Sequence, residues 1–274
     1  MTECELCFHR CRLSEGQTGF CKARKNIEGK IIPINYAKVT SIHLDPIEKK
    51  PLKKFFPGSK ILSIGSFGCN LRCPFCQNFT ISTMDEHQGK TIDLSPQQAV
   101  SMALSMVDQG NIGIAFTYNE PLVSYEYVYD TSVLAKQAGL KSVVVTNGTI
   151  EAAPLRKLLP YIDAFNIDLK GFTQTFYDKL NGNLEQVKRT IEIASESSHV
   201  EVTTLVIPDE NDDDETMEAL AKWLASVNPS IPLHLTRFFP AYLWRDKPAT
   251  PIDTLYRLRD IALKYVSNVY LGNI

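Results

Sequence analysis

From residue 60 to the end of the chain, short β-branched or apolar runs alternate with longer amphipathic stretches. KILSIGSF precedes SPQQAVSMALSMVDQ, IGIAFT precedes PLVSYEYVYDTSVLAKQA, and KSVVVT precedes EAAPLRKLL. DAFNIDLK leads to FYDKL and LEQVKRTIEIAS, HVEVTTLVIP to DDETMEALAKWLASV, and PLHLTRFF to TPIDTLYRLRDIALKY, with NVYLG as a last strand. Strand then helix, six times over, implies parallel strands and right-handed crossovers, because a strand that re-enters its sheet in the same direction needs a helix-length return. Six units are fewer than the eight of a closed barrel, so the pattern predicts an α/β fold with a partial (β/α)6 TIM-like barrel. Ser95, Pro96 and Gln98 read as N-cap, N1 proline and capping-box partner, and Thr250, Pro251 and Asp253 repeat the idea with a shorter acid.

Seven cysteines fall into two groups. Cys69, Cys73 and Cys76 stand in GCNLRCPFCQN with CxxxCxxC spacing, and Cys4, Cys7, Cys11 and Cys21 stand in CELCFHRCRLSEGQTGFC. MTECELCFHR has no apolar leader core, and no run approaches the roughly 18 apolar residues of a membrane helix. A cytoplasmic protein is expected, in which thiols stay reduced and serve as metal ligands rather than disulfides. A 4Fe-4S cluster ordinarily takes four thiolates, so three on one loop leave one iron open to a small molecule. Open coordination signals chemistry, as it does in catalytic zinc sites. The N-terminal four lie within 18 residues and suit a closed site, a second 4Fe-4S cluster or a zinc. Their CxxCxxxC opening is nearer ferredoxin than zinc-ribbon spacing and favours iron-sulfur. His9 reads as a neighbour, since four thiolates complete that set. The module cannot bury a core alone, so a metal has to organise it.

With 274 residues, 44% of them hydrophobic, the chain can form one large barrel domain with a small appendage. The expected division is a Cys-rich module and connector over 1–57 and a barrel domain over 58–274. A net charge of -2 supplies no global basic field, so neither nucleic acid nor membrane is an expected partner. The one dense basic run, Lys49, Lys50, Lys53 and Lys54, reads as a solvated loop or as a docking patch for an acidic electron donor such as a flavodoxin or ferredoxin.

Functional residues in barrels gather at the C-terminal strand ends. The expected ends carry the cysteine loop, then Tyr118, Asn119 and Glu120, then Asn147, then Asp168 and Lys170, then Thr203 and Thr204, then His234. Asp168 and Lys170, two apart on a strand, point to the same side. They read equally as a satisfied ion pair or as a contact to a cofactor, a monovalent cation or a substrate. His234 reads as a core histidine, a general acid or base, or a substrate contact.

CNLRCPFC resembles the signature of the radical S-adenosylmethionine (SAM) superfamily. That resemblance implies a partial barrel, a 4Fe-4S cluster on Cys69, Cys73 and Cys76, and SAM chelated on the open iron. It further implies reductive cleavage of SAM to a 5'-deoxyadenosyl radical, with the hard chemistry belonging to the cofactor. By the same resemblance Phe75 lies near the adenine. Glu120 and Asn119 are expected to accept from the SAM ammonium, and Asn147, Thr203 and Thr204 to donate to its ribose and carboxylate; the alternatives are a surface loop acid for Glu120 and a turn residue before Gly148 for Asn147. GCNLRCPFCQN, VTNG, NIDLK and VIP resemble pyruvate formate-lyase activating enzymes, which take hydrogen from a glycine of a partner protein. Tyr118-Asn119-Glu120 stands where those enzymes carry Gly-Gly-Glu, Val145 where they carry Asp, and Thr203 where Arg is usual. AFTYNEP, EVTTLVIP, PLHLTRFFPAY and the N-terminal CxxC resemble more specifically the branch called the AmmeMemoRadiSam system radical SAM enzyme, over nearly the whole chain. The competing class is a two-cluster electron carrier or metal-binding protein without catalysis.

Overall fold

The computed structural model describes residues 1–274. Its main sheet has eight strands: β1 (Ser41–Pro46), β2 (Lys60–Gly65), β3 (Asn111–Phe116), β4 (Lys141–Thr146), β5 (Ala164–Asp168), β6 (His199–Val206), β7 (Leu233–Arg237) and β8 (Val269–Gly272). They lie side by side in chain order, and the two edge strands do not pair, so the barrel is open. Strands β2 to β8 run parallel. Six helices make the crossovers: α1 (Pro96–Leu104), α2 (Tyr125–Gln137), α3 (Ala152–Leu158), α4 (Leu184–Ser195), α5 (Asp214–Val227) and α6 (Ile252–Ala262).

The two-residue period of the strands separates two cores. Leu62, Ile64, Ile114, Phe116, Phe165 and Ile167 face outward and join helix residues such as Ala103, Val187, Ile191, Leu224 and Leu258 in the principal apolar cluster. On the inner face Ile61, Ala115, Val143 and Ala164 pack on Ile47, Leu52 and Phe55, so the loop after β1 plugs the barrel at the N-terminal ends of its strands. Beneath the apolar plug lies a polar one. The buried Glu201 carboxylate accepts from Lys53 and Lys54 N–H at 3.0 and 2.7 Å and meets His199 and His234 Nε2 at 2.9 and 2.6 Å. Burial works against this charge, but the four partners hold Glu201 down to about 2.

Three sequence expectations change. Ser41–Pro46 pairs antiparallel with β2, Leu44 opposite Leu62, so a boundary at 57/58 divides one hairpin and the connector supplies an edge strand of the barrel sheet. The basic run is not one solvated patch. Lys49, Lys53 and Lys54 are exposed, but Lys50 is only 2% exposed, because its ammonium donates to Asp45 at 2.8 Å and lies over the Tyr118 ring. The Ser95 capping box forms as expected, whereas the last helix has Pro251 at its N-cap position and no side-chain cap. The buried Thr250 hydroxyl instead donates to Val206 C=O at 2.6 Å and accepts from Phe238 N–H at 3.1 Å, tying the ends of β6 and β7.

The N-terminal module consists of short hairpins, Thr2–Glu3 with Arg12–Leu13 and Arg24–Ile27 with Lys30–Pro33. It docks through Arg24, whose buried guanidinium donates to both Glu126 oxygens at 2.8 and 2.7 Å and to Val123 C=O. Because Thr250 serves as a tie rather than a cap, Thr250→Val, which orphans both partners, should lower unfolding free energy by about 1–3 kcal/mol. Ser95→Ala should cost about 1 kcal/mol. Urea midpoints at constant m-value check this; a smaller shift for Thr250→Val than for Ser95→Ala would contradict it.

Candidate functional site

A cavity of ≈ 330 Å³ opens at the C-terminal ends of β2 to β5 and is lined by all three cysteines of the CxxxCxxC loop. A larger groove of ≈ 630 Å³ lies at the opposite ends of β4 and β5. Its Lys141 and Arg156 are paired with Asp163 and Glu196, and it holds no reactive group. The smaller cavity is the candidate site.

The loop leaves β2 through Gly68 and delivers Cys69 beneath the ends of β3 and β4. Cys69 Sγ accepts from Leu71 N–H at 3.3 Å and is approached by Asn147 Nδ2 at 3.6 Å, and Cys76 Sγ lies 3.3 Å from Ser82 Oγ. Burial pushes the Cys69 thiol well above its usual range and the Cys73 thiol up to about 12, with the Lys170 ammonium pulling Cys73 the other way. Such thiols ionise when a thiophilic metal displaces the proton. Cys69, Cys73 and Cys76 line one cavity, and three thiols on one loop suit the thiolate ligation of an iron-sulfur cluster. Hydrogen bonds to their sulfurs are the kind that tune cluster potential.

The Glu120 side chain is 3% exposed and crosses from β3 to β4. Its Oε1 accepts from Leu122 N–H at 3.0 Å and Thr146 Oγ1 at 2.7 Å, and its Oε2 from Asn147 N–H at 2.7 Å. Burial outweighs these donors and pushes the carboxyl up to about 7. One lone pair of Oε2 still faces no protein donor. Asn147 donates its side chain to Asn70 Oδ1 at 2.9 Å, and Asn119 accepts from Ser66 N–H and donates to Gly68 C=O, holding the β2 and β3 loops together. Opposite them Lys170 donates to Asp168 at 2.6 Å. Burial works against the Lys170 charge, but Asp168 and Cys73 beside it hold the ammonium well above its usual range. Phe75 packs on Phe176 and Trp244 at the cavity edge.

Tyr118 sits at φ 75, a left-handed conformation unusual for a bulky residue. It is held there by its hydroxyl, which donates to Asp45 at 2.6 Å, and by Asn78, which donates to its carbonyl at 2.8 Å. Burial opposes the Asp45 charge, but Lys50 and Tyr118 keep its carboxyl well below the usual range.

Phe75, Tyr118, Asn119, Glu120, Asn147, Asp168 and Lys170 thus share one cavity with Cys69, Cys73 and Cys76. Thr203, Thr204 and His234 do not line it. β6 runs on to Val206, so both threonines lie inside the strand. Thr203 donates to Asn166 Oδ1 and Thr204 to Leu169 C=O. His234 is the second residue of β7 and faces Glu201 in the plug at the far end. Lys50, Asn70 and Asn78 escaped the sequence reading. The first was hidden in a charge run, and the others are ordinary loop residues until their partners are known.

Cys4, Cys7, Cys11 and Cys21 line a second, closed cavity of ≈ 10 Å³ together with His9, Phe20 and Asn70. Its four thiols are soft donors, and its walls are mostly apolar.

Residues 63–221 match the Radical SAM superfamily model. The chain belongs to the radical SAM superfamily. It is 40% identical to the uncharacterized protein MJ0808 of Methanocaldococcus jannaschii over 99% of this chain and 81% of that protein. A second protein of that organism, MJ1632, named as a candidate glycyl-radical enzyme activating enzyme, is 26% identical over 76% of this chain and 79% of its own length. The fold is shared with a domain of pyruvate-formate lyase-activating enzyme from Bacteroides vulgatus, at TM-score 0.53 and 18% identity over 59% of this chain and 99% of that one. This radical SAM protein is thus similar to activases, its open parallel barrel is the superfamily's fold, and the superfamily implies a 4Fe-4S cluster and SAM. No helix is long and apolar enough to cross a membrane.

Glu120 gives the site a pH signature. Burial keeps this proton on the folded chain up to about 7, whereas an ordinary glutamate carboxyl loses it near 4.5, so stability falls as pH rises through that window, by about 3 kcal/mol at most. Glu120→Gln carries a constant cost but cannot titrate. Denaturation of the ligand-free chain at pH 5 and 8 should show a larger loss in wild type than in the variant; equal losses would contradict the buried-acid account.

Proposed function

We propose that the chain reductively cleaves SAM and abstracts hydrogen from a substrate, as glycyl-radical enzyme activases do. What supports the reading is that three thiols with no fourth cysteine share one cavity with an under-coordinated carboxylate and an ion pair. When bound, the cluster and SAM supply an electron-driven C–S cleavage that yields the 5'-deoxyadenosyl radical. The chain's own residues bind and orient. Cys69, Cys73 and Cys76 would hold the cluster, three thiolates where four are ordinary. Glu120 offers the free lone pair of Oε2 to the SAM ammonium, and Asn147 fixes that oxygen through its own N–H. Phe75 walls the cavity against water beside the cluster loop. Asp168 and Lys170, held together as a pair, face the substrate side, where Lys170 supplies a positive charge beside Cys73.

The substrate is a peptide or protein glycine in this reading, following the activase-like relative. The reductant is a flavodoxin or ferredoxin in the cytoplasm. Cys4, Cys7, Cys11 and Cys21 hold a closed metal centre, a second 4Fe-4S cluster. The CxxCxxxC spacing, nearer ferredoxin than zinc ribbon, favours a cluster over zinc, and acid-labile sulfide set against zinc content separates the two.

Anaerobically reconstituted protein with a strong reductant should convert SAM to methionine and 5'-deoxyadenosine, and Cys73→Ala should reduce this to background. A verified, reducible cluster that leaves SAM intact would sink the proposal. An electron paramagnetic resonance doublet on an incubated partner protein would identify a glycyl substrate.

A further inference from the structure

The N-terminal module touches the CxxxCxxC loop along its whole first half. Cys69 N–H donates to the carbonyl of Cys21 at 3.1 Å. The approach is so close at Gly68, φ +87, that a Cβ there would lie 2.6 Å from the same Cys21 carbonyl. Only glycine fits both the conformation and the contact. His9 Nε2 donates to the Asn70 carbonyl at 2.8 Å, and the His9 ring stacks on Phe20. Arg72 lies over the Phe20 ring and donates to the carbonyls of Cys69, Leu71 and Phe20.

Asn70 joins the two sites. It is 1% exposed and lines the four-cysteine cavity, yet its amide donates to Thr149 C=O at 2.8 Å and accepts from Asn147, which lines the other cavity, at 2.9 Å. Asn147 in turn approaches Cys69 Sγ and holds Glu120. The side chain of Asn70 is thus held by the barrel, but the Cys21 carbonyl on Cys69 N–H and the His9 ring on the Asn70 carbonyl sit on a segment whose only regular structure before residue 24 is a pair of two-residue strands. So small a segment has no core to hold its own shape, and metal-binding energy becomes folding energy there.

We propose that metal bound by Cys4, Cys7, Cys11 and Cys21 fixes the main chain at Cys69 and Asn70, so that filling the N-terminal site pre-organises the loop that receives the catalytic cluster. Asn70 is the positioning residue of this coupling. The inference rests on the reading that the four cysteines hold a metal.

The test uses the full chain carrying Cys73→Ala and Cys76→Ala, which cannot hold the loop cluster but keeps the whole module. The variant is reconstituted anaerobically with iron and sulfide, or loaded with zinc, and its metal content is measured. Amide hydrogen exchange over residues 68–72 is then compared with the metal-free form. Metal uptake with exchange slowed about tenfold or more is the expected result. Uptake with unchanged exchange overturns the coupling and leaves the metal reading standing. No uptake of either metal overturns the metal reading, and the coupling with it. In the otherwise wild-type chain, Asn70→Ala should keep the module's metal content while shifting the resonance spectrum of the reduced loop cluster. An unchanged spectrum removes Asn70 from the coupling.

Discussion

The Glu120 carboxylate, buried between the ends of β3 and β4, accepts from Leu122 N–H, Thr146 Oγ1 and Asn147 N–H and so fastens the two strand ends to each other. From Asn147 the chain of hydrogen bonds passes to Asn70 and on to the Thr149 carbonyl, which fixes the cysteine loop against the same rim. A buried carboxylate is costly unless its donors are well placed, and a satisfied network of this kind rigidifies what it touches. The cavity thus keeps its shape around an acceptor whose last lone pair is unassigned. That combination of rigidity and an open polar position is what pre-organised binding needs.

The two ends of the barrel use polar groups differently. At the C-terminal ends Glu120, Asp168, Lys170 and the thiols face a cavity. At the N-terminal ends Glu201 binds two histidines and two backbone N–H groups and leaves no acceptor for a ligand. The same division between a reactive face and a stabilising face is general to βα barrels.

The βα rhythm, the partial barrel and the cysteine loop were legible in the sequence because each rests on local spacing: a two-residue period, helix-length returns, CxxxCxxC. Glu120 and Asn147 were legible because they follow directly on strands whose ends are marked by Pro121 and Gly148. Thr203 and Thr204 misled because their role depends on where a strand ends, and β6 extends past both; of the three readings open for His234, the core histidine is the one found, buried against Glu201. Lys50 looked solvated because its partners, Asp45 on an antiparallel edge strand and Tyr118 far along the chain, are joined to it only by tertiary pairing. Thr250 had the composition of a cap, but burial between β6 and β7 gave its hydroxyl better partners. The nearness of the four-cysteine module to the cluster loop had no local signal at all. It is a packing result, visible in the sequence only as a glycine before Cys69.

The central claim is that three thiolates hold a cluster whose fourth iron is open to SAM within this cavity. Mössbauer spectroscopy of the 57Fe-reconstituted chain, read against the Cys73→Ala and Cys76→Ala chain so that iron in the intact N-terminal module is subtracted, tests it directly. The account predicts that one iron of the four in a 4Fe-4S cluster changes its isomer shift when SAM is added. Four equivalent irons that ignore SAM would contradict it.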